Sequence, residues 1–292
     1  MNNAAQNLRI GFVDHKLDNF HANTFLKAFQ GPLKERGATV GACYALDADE
    51  GRAWAEKNNV PFFDDATAMN EAVDAYMVLA PSNPETHLEL CQRIFMFGKP
   101  TYVDKTFAPD AGTAERIFDL ADKHNVPVQT TSALRYTNVQ TYVNDAKANG
   151  RLRHMVAWGG GSSFDEYAIH PLELIVSCMG PDVTHVMRRG SGAYSQLMLS
   201  LTEDRTAIAN VYVLPGTDFA ASVTTETGTK HIQVNTSKIF VDTAAAVLDF
   251  FESKTPTVDR RESLAIRRIL DAAGKAEALE GFVPLVEDRD RP

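Results

Sequence analysis

From residue 8 to residue 131 the chain alternates short apolar runs with longer stretches of helical periodicity, and this alternation limits the fold more than any other feature. Residues 8–13, 39–44, 75–79, 100–103 and 127–130 read as strands, because each is a short run rich in β-branched, aromatic or other apolar residues. Between them, residues 18–35, 47–58, 84–97 and 111–124 read as helices, with Asp47 placed to cap the second. Strands that alternate with helices pair in parallel, with helices on both faces of the sheet.

After a further helix over residues 136–148, stopped by Asn149-Gly150, the pattern changes. Residues 152–158, 183–188, 195–201, 207–214, 220–226 and 230–235 are β-formers separated by turn signals at Gly190, Glu203-Asp204, Pro215-Gly216 and Gly228. With few helices between them, such strands form a largely antiparallel open sheet. Residues 171–179 supply one helix beside it, and helices over 239–253 and 261–278 close the chain. The expected architecture is an α/β Rossmann-like domain over residues 1–133, followed by an α+β domain over residues 134–292.

A net charge of −9 with no basic stripe argues against nucleic acid as a partner. No apolar run approaches the ~18 residues of a membrane span, and the polar first residues carry no signal core, so a cytoplasmic location is expected. Cys43, Cys91 and Cys178 lie far apart in apolar surroundings without ligand spacing, which reads as buried thiols and no metal site.

In a dinucleotide fold the turn after the first strand holds the pyrophosphate, through three glycines and the N-terminus of the next helix. Here Gly11 and Val13 lie in the strand, and Asp14, Lys16 and Asn19 stand where the glycines are expected. Asn19 tolerates left-handed backbone, whereas Asp14 brings a carboxylate towards an anion site. The fold therefore points to NAD or NADP, with Gly11, Val13, Asp14, His15, Asn19, Phe20 and, on the second strand, Tyr44 as candidate contacts. The acid that binds the adenosine ribose is replaced by Ala45, and Asp47 reads either as its substitute or as a helix cap only.

Gly98-Lys99-Pro100-Thr101-Tyr102-Val103-Asp104-Lys105 resembles the signature of the glucose–fructose oxidoreductase / inositol dehydrogenase (Gfo/Idh/MocA) family, with Asp104 and Thr106 in place of its Glu and Pro. Ala80-Pro81-Ser82-Asn83-Pro84-Glu85-Thr86-His87 is similar to the family's loop beside the nicotinamide, which adds Ala80, Pro81, Asn83, His87 and Asp104 to the cofactor contacts. Ser132-Ala133-Leu134-Arg135-Tyr136 resembles its crossover into the second domain. Gly159-Gly160-Gly161 followed by Glu166 and His170 is similar to its second motif. The resemblance implies that Lys105 contacts cofactor and substrate. It also implies that His170 is the acid/base, with Glu166 or Glu173 as the carboxylate that sets its imidazole. Arg135, Tyr136, Tyr167 and Glu173, together with Glu166, are the expected substrate contacts.

Three functions stay open on this reading. The first is NAD(P)-dependent oxidation of a sugar, cyclitol or related polyol. The second is a lyase, isomerase or hydrolase that moves protons with the same residues and no net redox change. The third is a cofactor-free sensor. Assembly as a homodimer or homotetramer through the second-domain sheet is expected from the resemblance.

Overall fold

The computed structural model describes residues 7–146, 150–214 and 216–285. The chain forms two compact units, Met1–Thr131 with Phe240–Asp259, and Ser132–Ile239 with Arg260–Pro292.

In the first unit β1 (Arg9–Asp14), β2 (Thr39–Ala45), β3 (Ala75–Val78), β4 (Thr101–Asp104) and β5 (Val128–Thr131) form a parallel sheet in the order β2-β1-β3-β4-β5. An isolated parallel bridge from Cys43 to Phe62 stands beyond β2, where dinucleotide folds place their outermost strand on that side. The helices are α1 (Phe20–Gln30), α2 (Ala48–Asn58), α3 (Ala66–Asn70), α4 (His87–Ile94) and α5 (Ala111–Lys123). Their starts are written in the sequence: Asn19, Asp47, Asp65 and Asp110 each accept a backbone N–H of the following turn. α1 is shorter than the expected 18–35, because Gly31-Pro32 breaks it and Lys34–Arg36 continues only as a 3-10 turn.

The second unit begins with α6 (Asn138–Ala146); residues 148 and 149, where the expected helix ends, lie outside the described residues, as does Pro215 of the expected turn. Next come β6 (Leu152–Gly160), α7 (Phe164–Tyr167), α8 (Ile169–Met179), β7 (Val183–Arg189), β8 (Tyr194–Leu201), β9 (Arg205–Tyr212), β10 (Ala220–Thr225) and β11 (Gly228–Gln233). Then follow α9 (Ile239–Ser253), α10 (Arg260–Ala273), α11 (Glu277–Glu280) and β12 (Val283–Pro284). The helix expected over 261–278 is interrupted at Gly274. The sheet runs β11-β10-β6-β9-β8-β7-β12 and is antiparallel except where β6 lies parallel to β9. α8 and α10 cover one face of it, in a core that includes Met155, Leu172, Ile175, Leu197, Val211 and Ile269.

The single boundary expected near residue 133 is therefore incomplete. All but the first residue of α9 returns to the first unit, where Ala244, Val247, Leu248, Phe250 and Phe251 join Ile10, Phe12, Leu17, Phe25 and Phe29 in one core. Burying the four large side chains Val247, Leu248, Phe250 and Phe251 stabilises that unit by roughly 1.5–3 kcal/mol each.

Candidate active site

Strand β1 delivers Asp14 to the carboxyl edge of the first sheet, at the point where neighbouring strands leave in opposite directions and ligands of such folds bind. Its carboxylate is buried and accepts the Asn19 side-chain amide at 2.9 Å and the Lys16 N–H at 3.2 Å. Burial pushes the Asp14 carboxyl up to about 7, against hydrogen bonds from Asn19, Ala80, Lys16 and His15 that favour the charged form. The folded chain thus keeps a proton that the unfolded chain loses above pH ~4, so this group's contribution to stability falls as pH rises from about 4 to about 7. Asp14→Asn removes that slope. Thermal melts across pH should show the variant gaining up to about 4 kcal/mol on the parent between pH ~4 and pH 8. An unchanged pH profile would show that the carboxyl does not titrate in this range.

The loop that follows is not vacant. Leu17 is fully buried, and its N–H donates to the Glu50 carboxylate at 2.8 Å; the Asp18 N–H donates to the other Glu50 oxygen. Glu50 comes from the first turn of α2, where Asp47 caps the helix. Asp47 is thus a cap, and its second oxygen faces Lys16 Nζ at 3.6 Å. His15 Nδ1 and Thr131 Oγ1 are buried side-chain atoms without a hydrogen-bond partner, and both lie at the carboxyl edge of the sheet.

Strand β4 ends in Asp104, and Lys105 follows it; both are buried. Asp104 accepts the Tyr102 hydroxyl at 3.3 Å and meets His21 Nδ1 at 2.5 Å, inside a group of rings from Phe20, Phe25 and Phe240. Lys105 Nζ donates to the Pro81 carbonyl at 3.3 Å. Ala80, at φ 29, lies in the same loop. His87 is wholly buried, its ring nitrogens facing the carbonyls of Phe107, Leu79 and Ala80, and burial holds its pKa below the usual histidine range. It braces the loop from inside. Asn83 donates to Glu85 at 2.9 Å. Tyr44 is buried in β2 with the Arg93 guanidinium over its ring, and Gly11 is packed under the Tyr76 ring, so neither reaches the loop. Val13 is likewise buried in the sheet.

The remaining expected site residues belong to the second unit. His170 Nδ1 lies 2.7 Å from Ser132 Oγ, and the rings of Tyr167 and Phe219 stand edge-on to the imidazole, each with its centroid 5.5 Å away. Two glycines permit this: a Cβ on Gly161 would come 2.2 Å from the Tyr167 ring, and one on Gly159 would come 2.9 Å from Phe219. Glu166, four residues before His170, accepts the Ser162 hydroxyl at 3.0 Å. Glu173 is buried, accepts the Ser132 N–H at 3.1 Å and pairs with Arg135 Nε at 2.6 Å. Arg135 also pairs with Glu262, and although burial opposes its charge, the two carboxylates hold its pKa above the usual arginine value. Arg135 and Glu173 are thus directed to each other, while Tyr136 and Tyr167 are half-buried.

Glu50 and Phe219 were not singled out by sequence reasoning, and Ser132 only as part of the crossover motif; Glu50 and Phe219 depend on contacts made by residues far apart in the chain. Among the described residues there is no cluster of three or more metal-ligating side chains, and no helix is long and apolar enough to cross a membrane.

Residues 18–132 match the model of the Gfo/Idh/MocA family, an oxidoreductase family with an NAD-binding Rossmann fold. The match begins after the Asp14–Leu17 segment that replaces the glycine turn. No curated protein sequence matches the chain. Among solved structures, scyllo-inositol dehydrogenase from Lactobacillus casei, with bound NAD(H) and scyllo-inositol, superposes with a TM-score of 0.79 at 14% identity, over 96% of this chain and 99% of that one. An oxidoreductase from Agrobacterium radiobacter, in complex with NAD+, L-tartaric acid and magnesium, gives 0.77 at 14% identity over 96% and 99%. A UDP-N-acetylglucosamine 3-dehydrogenase from Acidithiobacillus ferrooxidans gives 0.75 at 12% identity over 94% and 98%. At such identities these likenesses establish the fold.

The first unit fits a nicotinamide nucleotide at the carboxyl ends of its strands, along which the unpartnered His15 and Thr131 atoms and the buried Lys105 ammonium lie, although Glu50 holds the two loop amides. Over residues 18–132 the chain is thus similar to the NAD-binding Rossmann domain of the Gfo/Idh/MocA oxidoreductases.

Proposed function

We propose that the protein is a cytoplasmic NAD(P)-dependent oxidoreductase that oxidises a secondary alcohol of a sugar, cyclitol or related polyol. The observation that carries this reading is the buried Lys105 ammonium just after β4, in a domain that matches an NAD-binding oxidoreductase family. The neighbours that bind scyllo-inositol and L-tartaric acid favour a polyhydroxylated substrate.

Asp14, His15, Asn19, Phe20, Ala80, Pro81 and Asn83 line the cofactor's side of this proposal, with Asp104 fixed by His21 behind Lys105. The cofactor, when bound, supplies the hydride acceptor. Lys105 Nζ stabilises the alkoxide that develops as the hydroxyl proton leaves. His170 takes that proton at Nε2. Its Nδ1 is held by a hydroxyl, and a hydroxyl can accept from Nδ1–H or donate to bare Nδ1. Ser132 therefore suits both tautomers, and His170 serves as base in one direction and acid in the other. Glu166, Tyr136 and Tyr167 are the proposed substrate contacts. Arg135 and Glu173 act as positioning residues, because Glu173 holds the Ser132 backbone.

The test is absorbance at 340 nm with NAD+ and with NADP+ over a panel of inositols, aldoses and sugar acids. Substrate-dependent formation of reduced cofactor is expected. Turnover of a polyol without net cofactor reduction would favour the lyase or isomerase reading, for which the Glu50-capped loop is the specific supporting observation. Light scattering reads the proposed homodimer or homotetramer.

A further inference from the structure

In a nucleotide fold the amides opening the first helix bind the pyrophosphate, because their N–H groups have no partner within the helix and sit at its positive end. Here the two loop amides just before that helix, Leu17 and Asp18, which precede its cap Asn19, are already bound. One Glu50 oxygen accepts from each. A carboxylate that takes two successive N–H groups with two oxygens copies what a phosphate does at such a loop.

The surrounding charge sharpens the conflict. Asp47 stands at the start of the same helix as Glu50. The nearby cations are already engaged, Lys16 facing Asp47 at 3.6 Å and Lys57 facing Asp18 at 3.7 Å. A pyrophosphate brought to these amides meets the Glu50 carboxylate at the same donors. Both anions cannot hold them.

We propose that Glu50 is a built-in occupant of the pyrophosphate position, so that Glu50 must leave the Leu17 and Asp18 amides for a dinucleotide to bind and thereby sets the cofactor affinity of this chain. The inference rests on the nucleotide-binding reading above. Glu50 is half-buried and stands in the first turn of α2, so rotation of the side chain frees the amides without unfolding the helix. The observed affinity is the intrinsic affinity multiplied by the fraction of molecules in which the amides are free. Removing the carboxylate therefore tightens binding of any ligand that uses them.

The experiment is calorimetric titration of wild type, Glu50→Gln and Glu50→Ala with inorganic pyrophosphate and, separately, with NADH. Melting curves establish that each variant is folded, and the near-isosteric Gln variant stands in if the Ala variant is not. A Gln side chain accepts through one oxygen and turns an NH2 towards the second amide, so it also vacates the site. At least a tenfold gain in pyrophosphate affinity in the folded variant, with a parallel gain for NADH, is expected. Unchanged or weaker pyrophosphate binding overturns the role of Glu50, even where wild type binds NADH and the oxidoreductase reading stands. A pyrophosphate gain with no NADH binding to any form keeps the role of Glu50 at the amides, but sinks the oxidoreductase reading and with it the claim on cofactor affinity.

Discussion

Lys105→Met is expected to lower kcat roughly a hundredfold to a thousandfold while the protein stays folded. Methionine keeps most of the aliphatic stem and its packing, and removes the charge. The ammonium is buried, and the Pro81 carbonyl it touches at 3.3 Å carries no formal charge to neutralise it. Asp104, its neighbour, is already paired with His21. The positive charge thus remains for a developing alkoxide, in surroundings where little water screens it. An interaction made mainly with the transition state lowers kcat and kcat/KM together when lost, with little change in cofactor affinity. Stopped or continuous assays at saturating cofactor, alongside a melting curve, read this. A kcat within about threefold of wild type in a folded variant would remove Lys105 from the chemistry.

Glu173→Ala is the second large effect, and it falls first on stability. The side chain is 3% exposed and bonds both Arg135 and the Ser132 N–H. Its loss leaves the buried Arg135 guanidinium facing Glu262 alone and leaves the Ser132 amide without its acceptor. Breaking one partner of a buried charge network costs about 3–5 kcal/mol. In a unit of this size that is a fall of roughly 10 °C in Tm. The Arg135→Met/Glu173→Leu/Glu262→Gln triple variant removes all three charges and is expected to recover much of the loss, since uncharged side chains of similar volume replace a broken network. Activity should fall in Glu173→Ala even below the melting range, because Ser132 positions His170. A Tm within about 2 °C of wild type would show that water reaches the pair and that the network is not closed.

The architecture was legible because it rests on local periodicity. Alternating strands and helices specify a parallel sheet whatever else the chain does, and the caps at Asn19, Asp47 and Asp110 are read from single residues. The parallel pairing of β6 with β9 was not legible, since strand patterns carry no sign for direction. Nor was the destination of α9: an amphipathic helix announces that it has an apolar face, but not which core receives it. The candidate site divides in the same way. Lys105 and His170 stand inside ordered motifs and could be picked out. The pairing of Glu173 with Arg135 could not, because the fold brings together residues far apart in the chain. Glu50 was hidden by its ordinary look, an acid in the first turn of a helix.

The return of α9 also sets a timetable. A ribosome that has released the first 131 residues has delivered all five strands of the parallel sheet, yet not the helix face carrying Val247, Leu248, Phe250 and Phe251. The apolar surface formed by Ile10, Phe12, Leu17, Phe25 and Phe29 then waits uncovered while more than a hundred further residues are made. During that interval the nascent chain presents to its surroundings the kind of surface that chaperones hold and that aggregation exploits. The first half of this gene is therefore not a portable cassette: a nucleotide-binding domain excised at residue 133 lacks part of its own core.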